Sequence, residues 1–134
     1  MNIEEFRAFC LSFAGTRDAF PFVKATSDYD RDILVFYVAD KWFCFVNAVA
    51  CDFCNLRCDP ERISGLQAQY EGIGPGWHMN KRHWISVRFE SDVPETLLRQ
   101  LVERSYELAC AHLTNRQRAE LGLPASVRPG RKQR

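Results

Sequence analysis

Two groups of residues in this chain are of the kinds and spacings that carry chemistry. Cys51, Cys54 and Cys58 have two and three residues between them, a spacing that lets thiolates converge on one metal ion. Residues 77 to 88 interleave cations with rings: Lys81, Arg82 and Arg88 can meet phosphates, while Trp77, His83 and Trp84 offer faces on which bases stack. His78 and Asn80 add hydrogen-bonding groups to the same stretch, and Lys41 is a further cation at a predicted strand end. The candidate nucleic-acid contacts are therefore Lys41, His78, Asn80, Lys81, Arg82, His83, Trp84 and Arg88. The competing reading is that the tryptophans pin a glycine-rich loop to a sheet and the cations only solvate it.

Other chemistries find less support. On a strand, positions 51 and 54 point to opposite faces, and Cys58 falls before a helix, so ordinary unligated cysteines are expected and no metal or cofactor site is assigned. Cys58 with His78 or His83 could form a nucleophilic pair, yet no third group or oxyanion-type loop is recognisable, and no enzyme activity is expected. His112 lies on the apolar stripe of a helix and reads as a core-edge residue. Iron handling needs a dense acidic ridge; Glu4, Glu5 and Asp18 are a thin version, and Asp28, Asp30 and Asp32 read as a solvated turn.

The elements that position these residues follow from periodicity. Ile3, Phe6, Phe9, Cys10 and Phe13 share one stripe and predict a helix over 2–14, capped by Asn2 with Glu5 three residues on and closed by Gly15. Strands are predicted at 33–38, 42–46 and 50–56, with Asp40-Lys41 as a hairpin turn. Asp59-Pro60 opens a helix running to about Tyr70. Gly72 to Gly76 is expected to be loop. The alternation from His83 to Phe89 predicts a strand with Ile85, Val87 and Phe89 on one face and Trp84, Ser86 and Arg88 on the wetter one. A long helix follows over 94–113, with Leu98, Leu101, Val102, Ser105, Ala109, His112 and Leu113 on its inner stripe, and then a short helical piece over 114–121.

Helix, antiparallel strands, helix is the order of a two-layer α+β sandwich with its helices on one face of the sheet. The other face is open and apolar. It is expected to be covered by a loop or by a second copy of the chain, as a homodimer, or to serve as a protein- or small-ligand-binding surface. Residues 1–121 are expected to form one domain and 122–134 a disordered basic tail.

Composition sets the bounds on partners. At 134 residues with 46% hydrophobic side chains, the chain can bury one core without staples. Its net charge of +1 gives no global argument for nucleic acid, but residues 116–134 carry 6 basic and 1 acidic side chains against 12 and 16 in residues 1–115. The longest apolar runs, 33–39 and 42–46, are too short to cross a bilayer, and the N-terminus lacks the pattern of an export signal. A cytoplasmic protein with free thiols is expected.

Phe20-Pro21-Phe22, Lys41-Trp42-Phe43, Arg57-Cys58-Asp59-Pro60-Glu61, the block from Gly74 to Trp84, and Ser105-Tyr106 together resemble the MmcQ/YjbR family of small bacterial proteins. The resemblance spans about residues 3 to 121. It implies a CyaY-like fold, similar in outline to frataxin, and a role in DNA binding. Weak, largely non-specific DNA binding through the basic-aromatic block is thus the leading expectation, ahead of a binding module on the open sheet face and of frataxin-like metal handling.

Overall fold

Asn2 starts the first helix as its spacing predicts: its side chain accepts the Glu5 N–H at 2.8 Å and the Glu5 carboxylate accepts the Asn2 N–H at 3.0 Å. The structure, a computed structural model, describes residues 1–125. Its elements in chain order are α1 (Ile3–Leu11), β1 (Thr16–Ala19), α2 (Asp28–Arg31), β2 (Ile33–Val38), β3 (Lys41–Asn47), β4 (Phe53–Arg57), α3 (Pro60–Gln69), β5 (Ile73–Pro75), β6 (Trp84–Arg88), α4 (Glu95–Cys110) and α5 (Asn115–Glu120). The six strands form one antiparallel sheet in the order β1-β2-β3-β4-β6-β5. The α+β class is as the pattern predicts, with α1, α3 and α4 on one face, while the short α2 lies over the other through Tyr29. The basic tail from Arg128 to Arg134 lies outside the described residues.

Helices α1, α3 and α4 bury their stripes against one face of the sheet. Phe6 and Cys10 from α1, and Leu98, Leu101, Val102 and Ala109 from α4, meet Leu34, Phe36, Val46, Leu56, Ile85 and Val87. Deep burial of this many large side chains is the main stabilising term of the domain.

Three local expectations are corrected. The β2–β3 turn is Ala39-Asp40, because Lys41 already pairs with Val38; Ala39 takes the left-handed conformation that such a turn requires (φ 54°). Residues 73–75 are a strand and not a loop, since Ile73, Gly74 and Pro75 pair with Val87, Ser86 and Ile85. Pro75 is tolerated there because β5 is the edge strand. The face of β6 opposite the helices is not wet at Trp84, whose relative exposure is 5%.

Loops returning over the second face explain that burial. Ile33, Val35, Tyr37, Phe45 and Trp84 form a second apolar layer, and Ala19, Tyr29, Trp42, Trp77 and Met79 pack on it. A loop cover, one of the two expected, is thus present over part of the face. Beyond it Phe20, Phe22 and Val23 remain exposed.

Asp59 precedes α3 but makes no side-chain cap; its carboxylate instead takes Arg104 in a two-pronged pair at 2.9 Å and 2.9 Å. Those hydrogen bonds hold the Asp59 carboxyl below its usual range, and the N–H groups of Glu71 and Gly72, at 2.7 and 2.8 Å, do the same for Asp92. A depressed folded-state pKa stabilises above the ordinary carboxylate value, about 4, and that contribution is lost as pH falls through the lower value. The double variant Asp59→Asn, Asp92→Asn is therefore expected to be less stable than wild type at neutral pH and to lose less on acidification. Urea midpoints measured from neutral pH downward check this; parallel curves would refute it.

Candidate nucleic-acid interface

The Gly74 to Trp84 block folds as the end of β5, a tight turn and the start of β6. Gly76 is required by close approach: its N–H donates to the Trp84 carbonyl at 3.2 Å, and a Cβ there would sit 2.7 Å from the Trp84 Cβ. Asn80 builds the turn that follows. Its side-chain oxygen accepts the Arg82 N–H at 2.8 Å, and its carbonyl accepts the N–H groups of His83 at 3.2 Å and Trp84 at 3.0 Å. The turn leaves Lys81, Arg82 and His83 exposed, with the Lys81 ammonium donating to the Gly76 carbonyl.

Beside this turn is a cleft of ≈ 320 Å³ lined by Arg57, Cys58, Pro60, Asn80, His83, Trp84, Leu108 and His112. Arg57 ends β4 directly across from Trp84, which begins β6. Its Nε donates to the Trp42 carbonyl at 2.6 Å, and its guanidinium carbon lies 5.1 Å from the centre of the Trp84 ring. The backbone of Arg57 is fixed from the other layer, where its N–H donates to the Ser105 hydroxyl at 2.8 Å. The cleft and the turn are joined by a further hydrogen bond, from the Cys58 N–H to the His83 carbonyl at 2.8 Å.

The charge balance at this corner is uneven. Several cations elsewhere are matched, Arg7 with Asp18, Arg31 with Asp28, Arg99 with Glu95, and Arg104 with Asp59 and Glu107, whereas Arg17, Lys24, Arg62, Arg88 and Arg118 form no ion pair among the described residues. Arg57, Lys81 and Arg82 form no ion pair among the described residues. Burial lowers the Arg57 pKa from its ordinary value. His112 is also pushed down, by burial first and then by the charges of Arg57, Lys41 and His83. A partly desolvated guanidinium with no carboxylate is costly unless an anion meets it.

The structure divides the eight candidate residues. Asn80, Lys81, Arg82 and His83 share the turn, and Lys41 stands close enough for its charge to act on His112, although its ammonium is also 3.9 Å from Asp40. His78 (φ 59°) lies against Trp77 with ring centres 4.1 Å apart and planes inclined at 45°, and belongs to a neighbouring pocket on the open face. Arg88 pairs with Phe53 at the far end of β6, about 13 Å along an extended strand from Trp84, and does not join the corner. Trp84 is the corrected residue: with its ring against Phe45 at 6.1 Å and under Arg57, it is a buried support and not a stacking platform.

Arg57 and His112 are the members that sequence pattern did not assign. Arg57 stands in the Arg57-Cys58-Asp59-Pro60 motif, but its role depends on which strand ends beside β4. His112 falls just past the end of α4, where the stripe predicts core and the structure leaves the side chain exposed at the cleft.

The cysteines regroup as well. The Cys44 thiol is flanked by those of Cys10 and Cys54, and burial first, then these two neighbours, hold its pKa well above the usual range. Cys51, Cys54 and Cys58 do not come together, and no group of side chains suited to a metal occurs among the described residues. Glu5 caps α1 and Asp18 is tied to Arg7, so two of the three members of the thin acidic ridge already have internal partners.

A family model described as YjbR matches residues 11–108. The chain belongs to the YjbR family. It is 35% identical to YbdF of Escherichia coli O157:H7 over 111 residues, covering 82% of this chain and 86% of YbdF. It is 46% identical to YyaQ of Bacillus subtilis over 57 residues, 42% of this chain and 48% of YyaQ. Among solved structures, a Deinococcus radiodurans protein, DR2400, described as a DUF419 domain, superposes with a TM-score of 0.77 at 32% identity, covering 96% of this chain and 94% of that one. A Pseudomonas syringae protein superposes with a TM-score of 0.65 at 26% identity, over 81% of this chain and 99% of that one. No helix among the described residues is long and apolar enough to cross a membrane.

Proposed function

We propose that this YjbR-family protein binds nucleic acid in the cytoplasm, weakly and without sequence preference, through backbone phosphates at the corner formed by Arg57, Asn80, Lys81, Arg82 and His83, with Lys41 nearby. The observation that carries the reading is the set of cations there without ion-pair partners among the described residues, one of them a partly buried guanidinium. Phosphate oxygens would supply the missing acceptors. With Trp84 buried, little base stacking contributes, so duplex and single strand should bind with similar affinity.

On this reading the cleft binds and Cys58 is not a nucleophile. Cys58, the thiol at the cleft, is pushed up by burial, away from the thiolate that a nucleophile needs.

Replacing Lys81 and Arg82 together by alanine is expected to lower the magnitude of the log–log salt slope of DNA affinity by about one to two, since each phosphate contact releases close to one counterion. Thermal stability should change little, because neither cation forms an ion pair and only one hydrogen bond, from Lys81 to the Gly76 carbonyl, is lost. Fluorescence anisotropy of labelled duplex and single strands at several salt concentrations measures the slope. A folded variant with the wild-type slope would refute the assignment.

A further inference from the structure

The open face of the sheet carries a second cavity, of ≈ 250 Å³, whose lining differs in chemistry from the cationic corner. Its walls are the rings of Phe22, Trp42, Phe45 and Trp77. Three of these rings stand at steep angles to one another and not as a stack: Phe22 meets Trp42 at 67° and Trp42 meets Phe45 at 75°. Asp30 and His78 are the ionisable side chains in the lining.

The pocket is held from outside. The Trp77 N–H donates to the Asn55 side chain at 2.7 Å, and its ring stands edge-on to Tyr29 and Phe53 at 5.4 and 5.9 Å. The segment bearing Asp30 is tied down by Arg31, which donates to the carbonyls of Ala25 at 2.7 Å and Thr26 at 3.1 Å. It is also held by the Asn47 side chain, which donates to the Tyr29 carbonyl at 2.9 Å, and by the Tyr29 hydroxyl at 2.9 Å from Asp52. A pre-formed pocket spends little binding energy on ordering itself.

Asp30 is half-buried, yet its carboxylate makes no ion pair and no hydrogen bond among the described residues, and His78 forms no pair with it. Four aromatic side chains and one unpaired carboxylate in the lining favour positive charge. An anion would be repelled, and a neutral apolar guest would leave Asp30 desolvated without a partner. A bare ammonium would lose its strong hydration for few hydrogen bonds. An alkylated ammonium, apolar on its surface and diffuse in charge, suits both the rings and the carboxylate. We infer that this pocket binds a small organic cation carrying an alkylated ammonium group.

The test uses the full chain and two probes of equal shape, choline and its uncharged isostere 3,3-dimethylbutan-1-ol, with sodium chloride as the ionic-strength control. Indole N–H resonances report the binding. Choline is expected to shift those of Trp42 and Trp77 saturably and to bind at least about 10-fold more tightly than the alcohol, as stacked cation–π and charge contributions imply. Asp30→Asn should weaken choline about 10-fold and leave the alcohol unchanged. Equal affinity of the two probes, no saturable shift with choline beyond the salt control, or full choline affinity in a folded Asp30→Asn protein would each overturn the inference. Should that variant fail to fold, the comparison of the two probes on the wild-type chain decides alone. The DNA salt slope depends on other residues, so either reading can fail without the other.

Discussion

Trp84→Ala is expected to destabilise the domain by about 3–5 kcal/mol, the range for removing a large buried ring. The indole is 5% exposed and lies in the apolar layer of Ile33, Val35, Tyr37 and Phe45. It also supports the Arg57 guanidinium, which rests over its face at 5.1 Å and, with its Nε hydrogen-bonded to the Trp42 carbonyl, is held away from the space the ring would leave. Truncation would therefore leave a cavity beneath a half-buried cation, and the cleft beside the turn should lose its shape along with stability. Urea denaturation followed by circular dichroism gives the magnitude. Trp84→Phe keeps a ring and should recover part of the loss. An alanine variant as stable as wild type with selectively weakened single-strand binding would show that the ring is a stacking platform after all.

That buried tryptophan marks where sequence reading reaches its limit. Alternation along 83–89 correctly sends Ile85 and Val87 to the helical layer and Trp84 to the other face. Which face is wet is a tertiary fact, set by the segments around Tyr29 and Trp77 folding back over the sheet, and no local period encodes it. The same limit hides β1 and β5. Thr16-Arg17-Asp18-Ala19 and Ile73-Gly74-Pro75 are short edge strands with neither a continuous apolar run nor a clean alternation, and pairing with a neighbour on one side alone makes them strands. By contrast α1 and α4 were legible because each carries a long stripe and α1 an explicit capping box.

The cationic corner was legible only in the part that is local in sequence. Asn80, Lys81, Arg82 and His83 share one turn, whereas Arg57 and His112 reach the cleft because β4 ends where β6 begins and α4 ends above both. The cysteines show the converse. Cys51, Cys54 and Cys58 are neighbours in sequence, yet they form no metal-suited group among the described residues, and the sheet places Cys54 beside Cys44 instead.

A single hydroxyl in α4 fixes the position of Arg57, and its removal should be nearly as damaging as loss of the tryptophan. The β2–β3 register shifts between Phe36 and Tyr37, which pair with Cys44 and Trp42, so Phe43 is left over as the bulged residue. The fully buried Ser105 hydroxyl donates to the Phe43 carbonyl and accepts the Arg57 N–H at 2.8 Å, beyond the last β3–β4 pair at Cys44 and Leu56. Ser105→Ala removes both partners at once and leaves two backbone groups out of water, each costing about 1–3 kcal/mol when unsatisfied. A loss of about 2–4 kcal/mol in urea or thermal unfolding is therefore expected. Ser105→Cys keeps a weak donor and acceptor of similar size and should lose less. Because the freed Arg57 N–H lies in the strand end that carries the guanidinium, hydrogen exchange at Arg57 should rise more than exchange at Leu56 in the folded variant. Unchanged stability together with unchanged exchange at Arg57 would mean that the bulge and the strand end are held without Ser105, and that α4 has no part in shaping the cleft.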